Sequence, residues 1–264
     1  MALIKTLRTS DIVYHNRSST DFGLKILFPF NPPAPTPNKQ MLTIPGKSGD
    51  WADNNRSYQA AETAVNAVIR IPKKYDGNWW TLKGDIENWL YGNEDWLKFE
   101  QDPDYLYRAQ IVTAPTFTPV NPERINATIN FHFQPFKFKE KTIHYIPIPK
   151  SGIIYNDETV NVKPDWHIKG TGNFMLTVNG MPYEFDDLNG DLYLIGEEGN
   201  AYAKDPSVMS DDNYLLNTNI RLANNTAPEL LCNGSGENYL SIAALDDTSK
   251  LELCELKPLL RRLI

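Results

Sequence analysis

Between Ile125 and Phe133 the chain alternates with a period of two. Ile125, Ala127, Ile129, Phe131 and Phe133 are apolar, and Asn126, Thr128, Asn130 and His132 between them are polar. Successive side chains of a strand point to opposite faces, so this run predicts a strand with one apolar and one polar face. A second strand is predicted over Tyr105–Val112, and the two would pair as a long antiparallel hairpin. Upstream, Trp96, Leu97 and Phe99 form another strand-like run. Asp102-Pro103-Asp104 interrupts it as a turn, since proline presets its own φ and the flanking aspartates favour turns. Trp79, Leu82, Ile86, Trp89 and Leu90 lie near helical spacing and predict the one sizeable helix, Trp79–Leu90. Earlier strands are predicted at Phe22–Phe28 and Val65–Pro72. Between them Pro32, Pro33, Pro35 and Pro37 exclude a helix interior or a central strand and predict an extended exposed loop.

After Lys139 the texture changes. The stretch 141–150, with Pro147 and Pro149, reads as a linker between a domain at 1–140 and a second at 151–264. Short strands then recur between turn signals: Trp166–Lys169, Phe174–Val178, Tyr183–Phe185, Leu192–Ile195, Tyr239–Ile242 and Lys250–Leu253. Asn179-Gly180 marks a tight hairpin turn. Regular short strands predict a β-sandwich. The fold class expected is therefore mainly β: an N-terminal β-sandwich domain with one helix, and a second β-sandwich.

Length and composition suit one large or two ordinary soluble domains: 264 residues, 41% hydrophobic and 22% charged. No run approaches the ~20 apolar residues that span a bilayer. The first residues, MALIKTLRTSDIVYH, do not read as a secretion signal, so folding in a cytoplasm is expected. Cys232 and Cys254 are then expected to stay unlinked. The net charge of −7 is uneven. Residues 1–139 hold 16 Lys and Arg against 14 Asp and Glu, and residues 140–264 hold 10 against 19. A nucleic-acid binder needs a basic surface to release counterions from phosphates, and neither half offers one.

Candidate chemistry is sparse. Asp187, Asn189, Asp191 and Glu198 fall at calcium-loop positions, but the position that needs glycine is Leu192. The segment reads instead as a polar turn using Asn189-Gly190. His15, His132, His144 and His167 do not have the spacing of a metalloprotease helix. No G-x-S-x-G elbow and no glycine-rich phosphate loop occurs. The acidic pairs Glu94-Asp95, Asp102/Asp104 and Asp186-Asp187 adjoin turn residues and read as solvated turns. Trp89 and Trp96 read as core. Trp51, after Gly49-Asp50, is a candidate for an exposed partner contact.

Several segments, in order, carry a resemblance. Ile44-Pro45-Gly46-Lys47-Ser48-Gly49-Asp50 is followed by Trp89-Leu90 at a helix end, then Leu97-Lys98-Phe99, Asp102-Pro103-Asp104 and Tyr107-Arg108-Ala109. Phe133-Gln134-Pro135-Phe136 closes a strand. Phe174–Gly180 and Ser249–Leu253, followed by Arg261-Arg262, lie downstream. This series resembles the distal tail protein of long-tailed phages with non-contractile tails. The resemblance implies a structural, non-enzymatic protein without cofactor or metal. Its first domain would join five further copies as a homo-hexameric ring at the virion tail tip. One ring face would stack on the tail tube protein, and the other would hold the central tail-tip protein. DNA would pass through in transit, and the charge balance above, rather than the resemblance, suits a channel to which it does not stick. The second domain would be galectin-like, in relatives a carrier of receptor-binding proteins. Open strand edges recruit neighbours. The 105–134 hairpin, with Tyr105, Tyr107, Ile129 and Phe131, is accordingly expected at the subunit interface. The rival reading is a carbohydrate-binding module that holds a cell-wall saccharide.

Overall fold

The computed structural model describes residues 9–27, 31–206 and 215–264, apart from the side chains of residues 52–56. The chain divides into two units, Met1–Lys137 with Leu263–Ile264, and Phe138–Arg262. Phe28 and the N-terminal residues 1–8 lie outside the described residues.

The first unit contains β1 (Thr9–Ser10), β2 (Ile12–Tyr14), β3 (Arg17–Ser18), β4 (Leu24–Leu27), β5 (Pro37–Thr43), β6 (Asp50–Tyr58), β7 (Ala61–Arg70), the helix α1 (Trp79–Leu90), β8 (Asp95–Phe99), β9 (Tyr105–Asn121) and most of β10 (Arg124–Lys139). The main sheet runs β1-β4-β7-β10-β9-β8-β2-β3, so strands distant in sequence become neighbours. β10 pairs antiparallel with β7 from Arg124↔Arg70 to Phe133↔Ala61. The alternation seen in the sequence is the burial pattern: Ile125, Ala127, Ile129, Phe131 and Phe133 enter the core and Asn126 faces out.

Helix α1 begins where predicted, because the Asn78 side chain accepts from the Thr81 N–H at 3.2 Å and caps a free donor. Its buried face is Leu82, Ile86, Trp89 and Leu90. Trp89 is fixed twice: its Nε1–H donates to the Tyr14 carbonyl at 2.8 Å, and its ring stacks on Phe22 at 4.7 Å. Phe22 is not in a strand as predicted. It closes a 3₁₀ turn, Ser19–Phe22, that ends at Gly23 with φ 65°. A Cβ on Gly23 would lie 2.0 Å from the Arg70 carbonyl oxygen, so only glycine lets β4 leave the turn against β7.

The second unit contains β11 (Ile146–Pro147), β12 (Ser151–Tyr155), β13 (Asp165–Val178), β14 (Met181–Ile195), β15 (Asn200–Tyr202), β16 (Ile220–Arg221), β17 (Glu237–Ala244) and β18 (Lys250–Lys257). A last strand, β19 (Arg261–Leu263), pairs with β10. The stretch 141–150 is not a bare linker: it forms a 3₁₀ turn, Glu140–Thr142, and β11, which pairs with β18. Four predicted short strands are two long ones. β13 pairs with β18 over Asp165–Thr171 and with β17 over Phe174–Val178, with a register shift between Gly172 and Phe174. Because β13 changes partner there, the strand bends and stays continuous. Asn189-Gly190 is likewise mid-strand in β14, opposite Gly170 and Thr171, and not a hairpin turn. The tight turn is at Asn179-Gly180, both with positive φ (51° and 82°), as a type I′ hairpin requires. Trp166, Phe174, Leu176, Phe185, Leu192, Leu194 and Leu256 build the unit's own core. Both cysteines are free.

Candidate assembly surface

The Ile44–Asp50 segment is the tip of a two-stranded arm. β5 and β6 pair only with each other among the described residues, and form a separate two-stranded sheet. The tip is dictated locally. The Lys47 N–H donates to the Ile44 carbonyl at 3.1 Å, Pro45 supplies the first corner and Gly46, at φ 83°, the second. This is the residue order of a type II turn. The Thr43 hydroxyl donates to Asp50 Oδ1 at 2.8 Å and closes the base of the tip. Leu42 then stands directly opposite Trp51. Met41, Leu42 and Trp51 are 65%, 51% and 55% exposed, and Ile44 is exposed as well. Lys47 Nζ lies 4.9 Å from the Trp51 ring centroid. Leu42 and Trp51 share one face of the arm and Met41 lies on the other, and exposed apolar side chains on a two-stranded arm have no core to serve. Trp51 was legible as an exposed aromatic in the sequence. Met41, Leu42 and Ile44 were not, because their alternation implied no buried face.

A second unfinished feature is the outer edge of β9. β8 is only five residues long and pairs with Leu106–Ala109. Among the described residues β9 has no neighbours besides β10 and β8, so the Gln110–Asn121 half keeps one edge open. Val112 and Val120 are exposed on this half. Pro115 and Pro119 lie within it, as edge strands tolerate and central strands do not. They also remove two N–H donors from any ladder built there. A neighbouring copy would therefore meet side chains here more than a full hydrogen-bonded strand.

The hairpin residues expected at the interface fall elsewhere. Ile129 and Phe131 are 0% exposed and lie inside the first core. Side chains already covered by their own chain have no surface left for a partner, so that part of the expectation is corrected. Tyr107 is buried too. Its hydroxyl donates to Asp102 Oδ2 at 2.5 Å, and Lys137 Nζ donates to the same oxygen at 2.6 Å. Burial, reinforced by this carboxylate, holds the Tyr107 phenol well above its ordinary range. Tyr105 is half-buried, with Lys137 Nζ 4.3 Å from its ring centroid. Asp102 thus stabilises the hairpin and is not a bare solvated turn. Glu94 is engaged likewise: Arg108 Nε lies 2.9 Å away, and the Gln134 side-chain amide donates to it. Trp96 is half-buried beneath the Arg108 guanidinium, outside the core.

In the second unit the fold gathers one polar cluster that sequence spacing concealed. His167 on β13 is opposite Glu255 of β18 and Tyr193 of β14. Its ring stacks on Tyr193 at 4.2 Å, and its two nitrogens lie 2.8 Å from Asp191 and 3.1 Å from Glu255. Tyr145 meets the same ring edge-on at 6.0 Å. Desolvation raises the Tyr145 and Tyr193 phenols, which stay neutral. With both nitrogens engaged and its side chain 11% exposed, His167 ties three strands together. Among the described residues no group of three or more His, Cys, Asp or Glu side chains is placed to hold a metal. None of their helices is long and apolar enough to cross a membrane.

The fold defines a class: a two-unit, mainly antiparallel β protein with one α-helix among the described residues. No family model matches the sequence, and no curated protein matches it. Among solved structures the chain is similar to the crystal structure of the SPP1 Dit protein, described as a paradigm of the hub adsorption apparatus in phages that infect Gram-positive bacteria. The match covers 94% of this chain and 97% of that one, at a TM-score of 0.60 and 16% identity. The likeness therefore spans both units.

Proposed function

We propose that this chain is a structural hub of a phage tail tip, located in the virion. The observation that carries this reading is the end-to-end fold likeness to a hub protein of the phage adsorption apparatus. In this reading the first unit joins five further copies in a ring around the DNA channel. The ring links the tail tube protein to the tail-tip protein, and receptor-binding proteins attach at its periphery. The arm and the open half of β9 are the surfaces that support it. Both belong to the first unit, and they are distinct patches of one chain. Two unlike patches that meet head to tail build a closed ring when the rotation allows. The near balance of charge in residues 1–139 suits a passage that DNA must traverse without adhering. Light scattering coupled to size exclusion, followed by negative-stain imaging, tests the reading. A species of six times the 30.1 kDa chain mass, imaged as six-fold rings, is expected in the presence of tail tube protein. A chain that stays monomeric both alone and on tail tubes overturns it.

A further inference from the structure

The second unit carries an exposed aromatic face that core packing does not use. Among the described residues β12 pairs with β17 alone, in the register Ser151↔Ser241, Ile153↔Tyr239 and Tyr155↔Glu237. Strand alternation sends Asn238, Leu240 and Ile242 inward, and Glu237, Tyr239 and Ser241 outward beside Ser151, Ile153 and Tyr155. Tyr155 and Tyr239 are 55% and 56% exposed, and Ile153 is exposed between them. The two phenols converge on one carboxylate. Tyr239 donates to Glu237 Oε2 at 3.0 Å, and Tyr155 to Oε1 at 3.5 Å. Beside them an open groove of about 400 Å³ is lined by Ser151, Ile153, Thr177, Gly180, Tyr239 and Ser241.

We propose that this face of β12 and β17 binds an uncharged oligosaccharide. Tyr155 and Tyr239 present large amphipathic rings that lose little conformational freedom on binding, and the C–H face of a sugar ring packs on such a surface. Glu237 has lone pairs left after accepting from the two phenols, and takes hydroxyl donors from the sugar edge. Ser151, Thr177 and Ser241 both donate and accept, which matches hydroxyls that do the same. The groove contains no lysine or arginine. Residues 140–264 hold 10 basic against 19 acidic side chains, and this field repels phosphate-bearing or uronic polymers. The inference is independent of ring assembly, whose surfaces lie in the first unit.

Full-length protein applied to an array of neutral glycans, followed by fluorescence titration with the best retained oligosaccharide, tests the proposal. Saturable binding to a neutral glycan is expected. Tyr155→Ala with Tyr239→Ala should weaken it by about tenfold or more. Glu237→Gln, which preserves shape, should weaken it as well. Trp51→Ala should leave it unchanged. All these side chains are outward-facing, so unaltered melting temperatures are expected and exclude a folding defect. Retention of no neutral glycan, binding to poly(glycerol phosphate) alone, or undiminished binding by the double tyrosine variant would overturn the proposal. So would a double variant that changes only oligomeric mass, since the face would then be a contact between copies. A monomer that binds glycan sinks the ring and keeps this site, and a ring that binds none does the reverse.

Discussion

Phe131 meets Tyr14 edge-on at 5.7 Å and lies tilted against Phe133 at 5.8 Å, and no part of it reaches solvent. Phe131→Ala should therefore cost about 3–5 kcal/mol of stability, read by chemical denaturation. Ile129→Asp buries a charge without a partner and should abolish folding, not assembly alone. A soluble, folded Ile129→Asp monomer would contradict the burial of this side chain. Asp165 makes a different case. Burial raises its carboxyl pKa, only partly offset by the Gly196 N–H and Lys257. Folding thus costs extra wherever the group is ionised. That penalty is full above the raised folded-state pKa and vanishes below the ordinary carboxylate value. Asp165→Asn keeps the acceptor for Gly196 and should raise the melting temperature at neutral pH, with the gain shrinking as pH falls. Thermal melts from pH 7 down to pH 3 check the sign.

The arm of β5 and β6 is the element whose role is easiest to isolate. Leu42 and Trp51 pair across it and reach no core. Replacing exposed side chains usually changes stability by no more than about 0.5 kcal/mol. Leu42→Ser with Trp51→Ala should leave the melting temperature unchanged while shifting the mass distribution on tail tubes from ring to monomer. An unchanged ring would remove the arm from the assembly surface. The β13–β14 hairpin behaves oppositely. Its strands pair from Trp166↔Leu194 to Val178↔Met181, and its turn needs positive φ at both Asn179 and Gly180. Local sequence chemistry controls such turns, and for that reason this one was predicted from two residues.

At the scale of the molecule, the two units each enclose their own core. Cooperative unfolding belongs to such cores, and multi-domain chains depart from a single transition. Differential scanning calorimetry should therefore resolve two components. Phe131→Ala should lower one, and Phe174→Ala, in the second core, the other. One transition lowered equally by both variants would mean that the units melt as one. The polar network around His167 spans β18, β13 and β14 within the second component.

Local pattern by itself determined helix α1, the hairpin of β9 and β10, the Asn179-Gly180 turn and the buried face of β10. Each rests on periodicity or turn chemistry in one continuous stretch of chain. The short strands that proved to be halves of β13 and β14 were misjudged because a bend resembles a turn to any local reading. Only tertiary structure decided which apolar residues are free. Trp96, read as core, is half-buried beneath the Arg108 guanidinium, and Met41 and Leu42, which no pattern marked, stand exposed on the arm. His167, Glu255 and Tyr193 became neighbours only when three distant strands paired, as did Tyr155, Glu237 and Tyr239 on two. Burial and convergence are properties of the whole packing, since a side chain's exposure depends on what the rest of the chain places over it.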